Sequence, residues 1–432
     1  MIQISLKDKF LIFFENNICI GGTVFIKALA QIGILKAVSV YFGASGVGYL
    51  GQVLSCVTIV NSLFSVGLVN FLITELSKNK ENKAAIKDIY NLVGFWCAMF
   101  SVFLVIVAFI FSVQFSELAF GDSNEMLFFQ LLSVGFVFLN LTSITQGIFS
   151  SKKSVKTLFF YNLMAIGLGF FGFILIVQKN QSYIPYAALA FYFSQGLIGL
   201  LFLLKLDGNV FEIFKPRFNL PLMMRVFKFT LVMAITGALG ALQQVYIRNF
   251  ILNDLQLSWV DVGHWQALLK ISEINLSFIG LTMISLYLPS ISEAASSFEL
   301  RKVAHWYLKQ VFMIVMVICT VVALAAPLVL RLIFSQEFVF LSPLLKYQLL
   351  GDVFKLCSWI FTYFILSKLK LSLFLSVEIF NLIILTVLGV SLSKLFMIDG
   401  LIYAQALTSF ISFVVTFLIF NFYSRRDQSW NK

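Results

Sequence analysis

A chain of 432 residues in which 60% are hydrophobic, 12% are charged and 50 are Phe carries more apolar surface than a soluble core of this size would need. That excludes a soluble globular protein and leaves a polytopic membrane protein. The formal net charge of +11 does not call for nucleic acid, because most of the excess lies between apolar runs, where it serves topology and lipid headgroup contact. The five cysteines, Cys19, Cys56, Cys97, Cys319 and Cys357, stand singly inside apolar runs with no CxxC and no metal-ligand spacing, so they read as reduced packing residues. Lys7 and Lys9 lead into an apolar stretch too long for a signal-peptide core and lacking a small-residue cleavage site. The first helix is expected to stay as an anchor.

Apolar windows of about 20 residues, the length that crosses a hydrocarbon core, can be placed about twelve times. In chain order they fall at 16–42, 47–74, 89–114, 127–149, 157–177, 186–206, 228–252, 263–289, 306–330, 344–366, 373–393 and 400–423. The fold class expected is an all-α integral membrane protein. Connections are short throughout, so no loop holds a soluble domain. Lys and Arg partition unevenly among them: roughly 20, from Lys7 through Lys78, Lys152, Arg225, Arg301, Lys370 and Lys432, fall on one face, against about three (Lys179, Arg331, Lys394) on the other. Both termini are therefore expected in the cytoplasm.

An internal repeat emerges at an offset of about 215 positions. Val47-Gly48-Tyr49 is matched by Val262-Gly263-His264, Leu118-Ala119-Phe120 by Leu332-Ile333-Phe334, and Gln130-Leu131-Leu132 by Gln348-Leu349-Leu350. Six helices per half is an even number, so the repeat is parallel, with its pseudo-axis along the membrane normal. The domains expected are a six-helix lobe over 1–210, an amphipathic linker on the membrane surface over 211–227, and a second six-helix lobe over 228–432.

Ionisable residues inside the spans are costly and point to function. Lys205, Lys309 and Lys346 sit near helix ends and can snorkel, whereas Lys27, Arg248, Lys270 and Lys355 cannot readily do so. Lys36 also falls within the first span. The intramembrane acids are Glu273, Asp352 and Glu378, with Glu15 near an end. Lys270 with Glu273, and Asp352 with Lys355, are each three apart and share a helix face. Two readings of these pairs stand: local ion pairs that only lower the insertion cost, or the lining of a water-filled cavity. Across the repeat, Lys270 and Glu273 fall on Ser55 and Thr58, so the charge is concentrated in the second half, with Lys27 and Lys36 able to face it. A cavity with this excess of cations prefers an anionic ligand. His264 and His305 read as interfacial packing residues rather than a proton relay. No phosphate-binding GxxxxGK[ST] loop occurs, and no acid pair or nucleophile lies in a loop long enough for an active site. No enzyme is expected from these residues, and no catalytic residue is assigned.

Val262-Gly263-His264-Trp265-Gln266 with Ile271-Ser272-Glu273, Gln348-Leu349-Leu350-Gly351-Asp352-Val353-Phe354-Lys355, and Phe42-Gly43 with Gly46-Val47-Gly48 together resemble the Wzx-type flippases of the MATE-related MOP superfamily, over nearly the whole length. Gln52 departs from the pattern, where a basic residue is expected. The resemblance implies two lobes alternating between cytoplasmic and periplasmic openings, in the bacterial inner membrane. It implies an undecaprenyl-diphosphate-linked O-antigen repeat unit as cargo, with the enterobacterial common antigen unit as the alternative and a MATE-type multidrug exporter as a more distant one. Arg248, Lys270, Lys355 and Lys27 would then attract the diphosphate, and Glu273 and Asp352 would hold those cations and take part in proton or sodium coupling. No other cofactor is implied. Partners would be membrane lipids and the polymerase and chain-length proteins of the same pathway. A polymerase reading lacks the large periplasmic loop it needs, a cation exporter would carry a net acidic cavity, and a scaffold has little use for mid-membrane charge.

Overall fold

Helices form wherever the sequence is continuously apolar, and several of the breaks between them are made by single residues. The computed structural model describes residues 6–205, 208–283, 287, 290–291, 296–368 and 371–426. Lys370, Lys432 and part of the end of the expected span 263–289 lie outside the described residues. Helix α1 (Leu6–Phe64) is followed by α2 (Val66–Lys78), α3 (Lys83–Phe120), α4 (Met126–Val134), α5 (Phe136–Ser151), α6 (Val155–Val177) and α7 (Ile184–Leu204). A 3-10 helix, Gly208–Phe214, leads to α8 (Leu220–Met233), a π-helical turn at Ala234–Ala238, α9 (Leu239–Asn253) and α10 (Trp259–Thr282). Then come α11 (Ser297–Leu324), α12 (Ala326–Ile333), α13 (Ser342–Lys368) and α14 (Leu371–Arg426). The described residues contain no strand.

At 1.5 Å per residue the 59 residues of α1 would extend roughly 90 Å, about three times a hydrocarbon core. The helix avoids this by breaking at Gly43, whose φ of 63° is open to glycine without a Cβ clash. Helix α14, with 56 residues, breaks at Met397, φ 53°, where a side chain must tolerate the left-handed region. Among the described residues, eight helices are long and apolar enough to cross a membrane, or nine when α4 and α5, bent by 42° about Gly135, count as one span. Twelve spans were expected because two of those eight, 58 and 54 residues long, each hold two expected spans, and because the polar residues of α10 keep it out of the tally.

The described chain forms two compact units: Met1–Ala37 with Gln52–Val245, and Val38–Gly51 with Tyr246–Lys432. Their membership differs from the expected lobes at 38–51 and in the stretch around the linker. In the first unit, Leu68, Phe71 and Leu72 of α2 pack with Trp96 of α3 and Ile144 and Ile148 of α5. Close packing, more than transfer out of water, holds these helices together, because lipid tails are as apolar as the side chains they would replace. Trp96 donates its indole N–H to the Phe64 carbonyl at 3.1 Å, which satisfies a group freed where α1 gives way to α2. Gln52 is fully buried and donates to the Ala119 carbonyl. At the far end of α2 the buried Glu75 pairs with Arg225 of α8 at 3.0 Å.

In the second unit, α13 lies against α14 through an aromatic ladder in which Phe361 meets Phe413, Phe417 and Phe420 at centroid distances of 5.1–6.1 Å. The segment 38–51 joins this unit by backbone contact with α10. A Cβ on Gly48 would stand 2.8 Å from both the Gly263 nitrogen and the Trp259 carbonyl oxygen, and a Cβ on Gly263 would overlap the Ala44 carbonyl. The paired Val-Gly motifs of the repeat therefore lie against each other, with Tyr49 edge-on to Trp259 at 5.5 Å.

Candidate functional site

Helix α10 begins at a capping box, in which Asp261 accepts from the Ser258 backbone N–H at 3.0 Å and from the Ser258 hydroxyl at 2.8 Å. The cap fixes the helix start, and the 3.6-residue turn then sends its polar residues to separate sides. On one side Lys270 Nζ donates to Glu273 Oε2 at 2.6 Å, the local pair expected from their spacing, with side chains 17% and 44% exposed. On the far side Ser272 and Asn275 point to α13.

Both donate to Asp352, which is 1% exposed: the Ser272 hydroxyl to Oδ1, and Asn275 Nδ2 to Oδ2 at 3.2 Å. Asn275 also reaches Cys319 Sγ of α11 at 3.5 Å. The expected ion pair between Asp352 and Lys355 does not form. Short side chains fixed on a packed neighbouring helix satisfy the carboxylate at less conformational cost than folding back a long lysine chain. Lys355 is half-buried and stands in the electrostatic field of two acids, Asp352 and Glu378 of α14. One turn before Asp352, on the same face of α13, Gln348 is fully buried with neither amide atom hydrogen-bonded. Leaving such a group unsatisfied costs about 1–3 kcal/mol.

Arg248 of α9 is fully buried. Its Nη2 donates to Gln266 Oε1 at 2.6 Å, and its guanidinium carbon lies 5.6 Å from the Trp265 ring centroid. Gln266 fits because position 51 is glycine, whose Cβ would stand 2.7 Å from that same Oε1. His264 packs edge-on against Phe338 and Phe340, with ring centroids at 5.9 and 4.8 Å. Lys27 is exposed on α1 and belongs to the first unit.

The second unit thus carries Lys270 and Glu273 on one side of α10, and Asp352 and Lys355 on α13, which the other side of α10 meets through Ser272 and Asn275, with Arg248 held by the same α10. Sequence reasoning passed over Ser272, Asn275, Gln266 and Gln348 because it followed formal charge. The available signal was spacing: Ser272 and Asn275 are three apart, and Gln348 and Asp352 four apart, so each pair shares a helix face. Among the described residues no group of three or more His, Cys, Asp or Glu could hold a metal ion.

Solved membrane-protein structures share this fold. The inward-facing conformation of a multidrug resistance MATE family transporter superposes with a TM-score of 0.75, covering 94% of each chain at 14% identity. The lipid II flippase MurJ, in an inward closed conformation, does so with a TM-score of 0.69 over 94% of this chain and 87% of that one at 12% identity. The class defined is a multi-pass membrane protein of this fold. Among curated proteins, the lipid III flippases of Escherichia coli (strain K12) and Shigella flexneri are each 22% identical over 379 residues, 85% of this chain and 88% of theirs. Residues 42–343 match the family described as "Polysaccharide biosynthesis protein", and the chain belongs to that family. The resemblance read from the motifs holds at this level.

Proposed function

We propose that the protein is a flippase that moves an undecaprenyl-diphosphate-linked O-antigen repeat unit from the cytoplasmic to the periplasmic leaflet of the bacterial inner membrane by alternating access. The observation that carries the reading is the partly exposed Lys270 and half-buried Lys355 on neighbouring helices of one unit, with the buried Arg248 held by the same helix, α10. Three cations at membrane depth suit a diphosphate, whereas a cationic drug would meet repulsion. The lipid III flippases to which the chain is similar, and its membership of a polysaccharide biosynthesis family, support lipid-linked oligosaccharide as the class of cargo.

In this reading Lys270 and Lys355 meet the diphosphate first, with Lys27 contributing from α1. Arg248, sequestered by Gln266 and Trp265, becomes available only when α9 and α10 rearrange. Glu273 holds Lys270 in the empty state, and Asp352 takes the proton or sodium ion that couples the cycle. The two six-helix lobes, with cytoplasmic termini and the linker 211–227 between them, are the moving parts. The test is complementation of a strain lacking its O-antigen flippase with Arg248→Ala, Lys270→Ala and Lys355→Ala. Expressed variants should restore little surface polysaccharide, and near-normal levels from all three would refute the assignment. Rescue of an E. coli strain lacking its lipid III flippase, without rescue of the O-antigen strain, would change the cargo and keep the site.

A further inference from the structure

Helix α11 changes character along one face. At 3.6 residues per turn, Phe298, Lys302, His305, Trp306 and Lys309 fall within about 100° of arc around its axis. All five are exposed, Phe298 by 75% and Trp306 by 57%. Further along, the same arc carries Met313, Met316 and Leu324, exposed and apolar, with only Thr320 polar. Cations therefore give way to hydrocarbon surface between Lys309 and Met313. Trp306 stands just before the change, the level at which indole rings gather at a membrane–water boundary.

The rest of the helix holds this stripe in register. Leu300 and Ala304 are buried, and Arg301 donates from Nη2 to the Ser424 carbonyl at 2.6 Å and from Nε to the Ser424 hydroxyl at 3.3 Å, which ties the start of α11 to the end of α14. Tyr307, whose hydroxyl lies 3.3 Å from that of Ser290 and whose ring lies 4.9 Å from that of Tyr287, supports Trp306 edge-on at 4.8 Å. His305 Nδ1 lies 2.9 Å from the Arg301 carbonyl, which can only accept, so Nδ1 carries the proton and Nε2 is on the far side of the ring.

Lys302 and Lys309 stand two turns apart, roughly 10 Å along the axis, with His305 and Trp306 between them. Lysine side chains are long and flexible, so both can reach one anion laid over the intervening turn. Glu299 flanks the arc in the opening turn, and two lysines against it leave the stripe net positive. A cationic patch that runs directly into lipid-facing apolar surface matches a molecule with an anionic head and hydrocarbon tails. We propose that this face of α11 is a binding site for one anionic glycerophospholipid, with its phosphate between Lys302 and Lys309 beside His305 and Trp306, and its acyl chains along Met313 and Met316. The bound headgroup then steadies the joint that Arg301 makes with α14. Lysines that only snorkel need a polar surface and no particular headgroup, so the two roles separate on headgroup charge.

The test is photo-crosslinking of the full-length protein in phosphatidylcholine proteoliposomes, doped with phosphatidylglycerol or phosphatidylcholine that carries the same acyl-chain diazirine. Chymotryptic peptide mapping reads the labelled positions. Labelling within 298–316 should be at least about five-fold stronger with the phosphatidylglycerol probe, the preference expected of a single lysine at a membrane surface. Combined Lys302→Gln and Lys309→Gln, both at exposed positions, should bring the ratio of the two probes close to one. Combined Lys302→Arg and Lys309→Arg should keep the preference, because charge selects the headgroup. Equal labelling of the unaltered chain overturns the proposal, as does a preference that survives the glutamine pair or is lost in the arginine pair. Competition by a large excess of inorganic phosphate also overturns it, since the stripe would then take a free anion, and so does displacement by an equal concentration of polyprenyl phosphate, since the site would then belong to the carrier lipid.

Discussion

Glu75 in the first unit and Asp352 in the second are both buried carboxylates, and they are satisfied in different ways. Glu75 of the first unit, 3% exposed, is answered by the guanidinium of Arg225 at 3.0 Å. Asp352 of the second, 1% exposed, is answered by a serine hydroxyl and an asparagine amide, with no ion pair. A carboxylate closed by a fixed countercharge has little to gain from a proton or a metal ion. One held only by neutral donors keeps its charge available to something that arrives and leaves. The pairing partner, more than burial itself, separates a structural acid from a working one.

The sharpest way to break this contrast is at Asp352. Asp352→Asn keeps one acceptor and the side-chain shape, so the helices should still pack, yet transport should fall about a hundredfold, equivalent to ~2.7 kcal/mol of barrier. Flux of labelled lipid-linked oligosaccharide into the outer leaflet of proteoliposomes measures it, and wild-type flux would place Asp352 with Glu75 among the structural acids. Glu75→Gln should do the reverse: a stability loss of about 1–2 kcal/mol, moderated because Arg225 is half exposed, with flux per folded molecule unchanged. Thermal unfolding of both variants in one detergent checks the pair.

Gln348→Met removes the unsatisfied amide without changing the volume of the side chain greatly. It should raise stability by roughly 1 kcal/mol. A stability gain with intact flux makes Gln348 a packing residue, and a gain with lost flux makes it part of the Asp352 site. The smallest effect should come from Glu212. Burial would raise its pKa, but hydrogen bonds and charge from Lys87 and Lys215 outweigh this and hold it below the usual carboxylate range. A depressed pKa stabilises the docked linker above the unfolded-state value, and the contribution disappears as pH falls through the folded one. Proteolysis within 206–219 should therefore rise on acidification below the ordinary glutamate range, and Glu212→Gln should flatten that rise.

The apolar runs gave the helices because a bilayer demands long, continuous segments, and this constraint is local. The breaks at Gly43 and Met397 fall in the gaps left between 42 and 47 and between 393 and 400 for the same reason. The Lys270–Glu273 pair was readable since its partners lie three apart. The setting of Asp352 was not, because Ser272 stands 80 positions away on another helix and carries no charge to draw attention. Arg248 was read as a ligand group from its cost in lipid. Its burial against Gln266 and Trp265 depends on a glycine at position 51, a contact no periodicity announces.

The crossing of Gly48 and Gly263 has a reciprocity of its own. Gly48 abuts the Trp259 carbonyl, Gly263 abuts the Ala44 carbonyl, and the same offset of about 215 carries Ala44 to Trp259 and Gly48 to Gly263. Each motif grips the counterpart of what grips it, the signature of an isologous two-fold contact. A half-length chain pairing with a second copy of itself would make this contact twice over from a single sequence. The crossing therefore has the form of a homodimer seam carried inside one polypeptide, and enlarging either glycine should be relieved only by trimming its twin's surroundings.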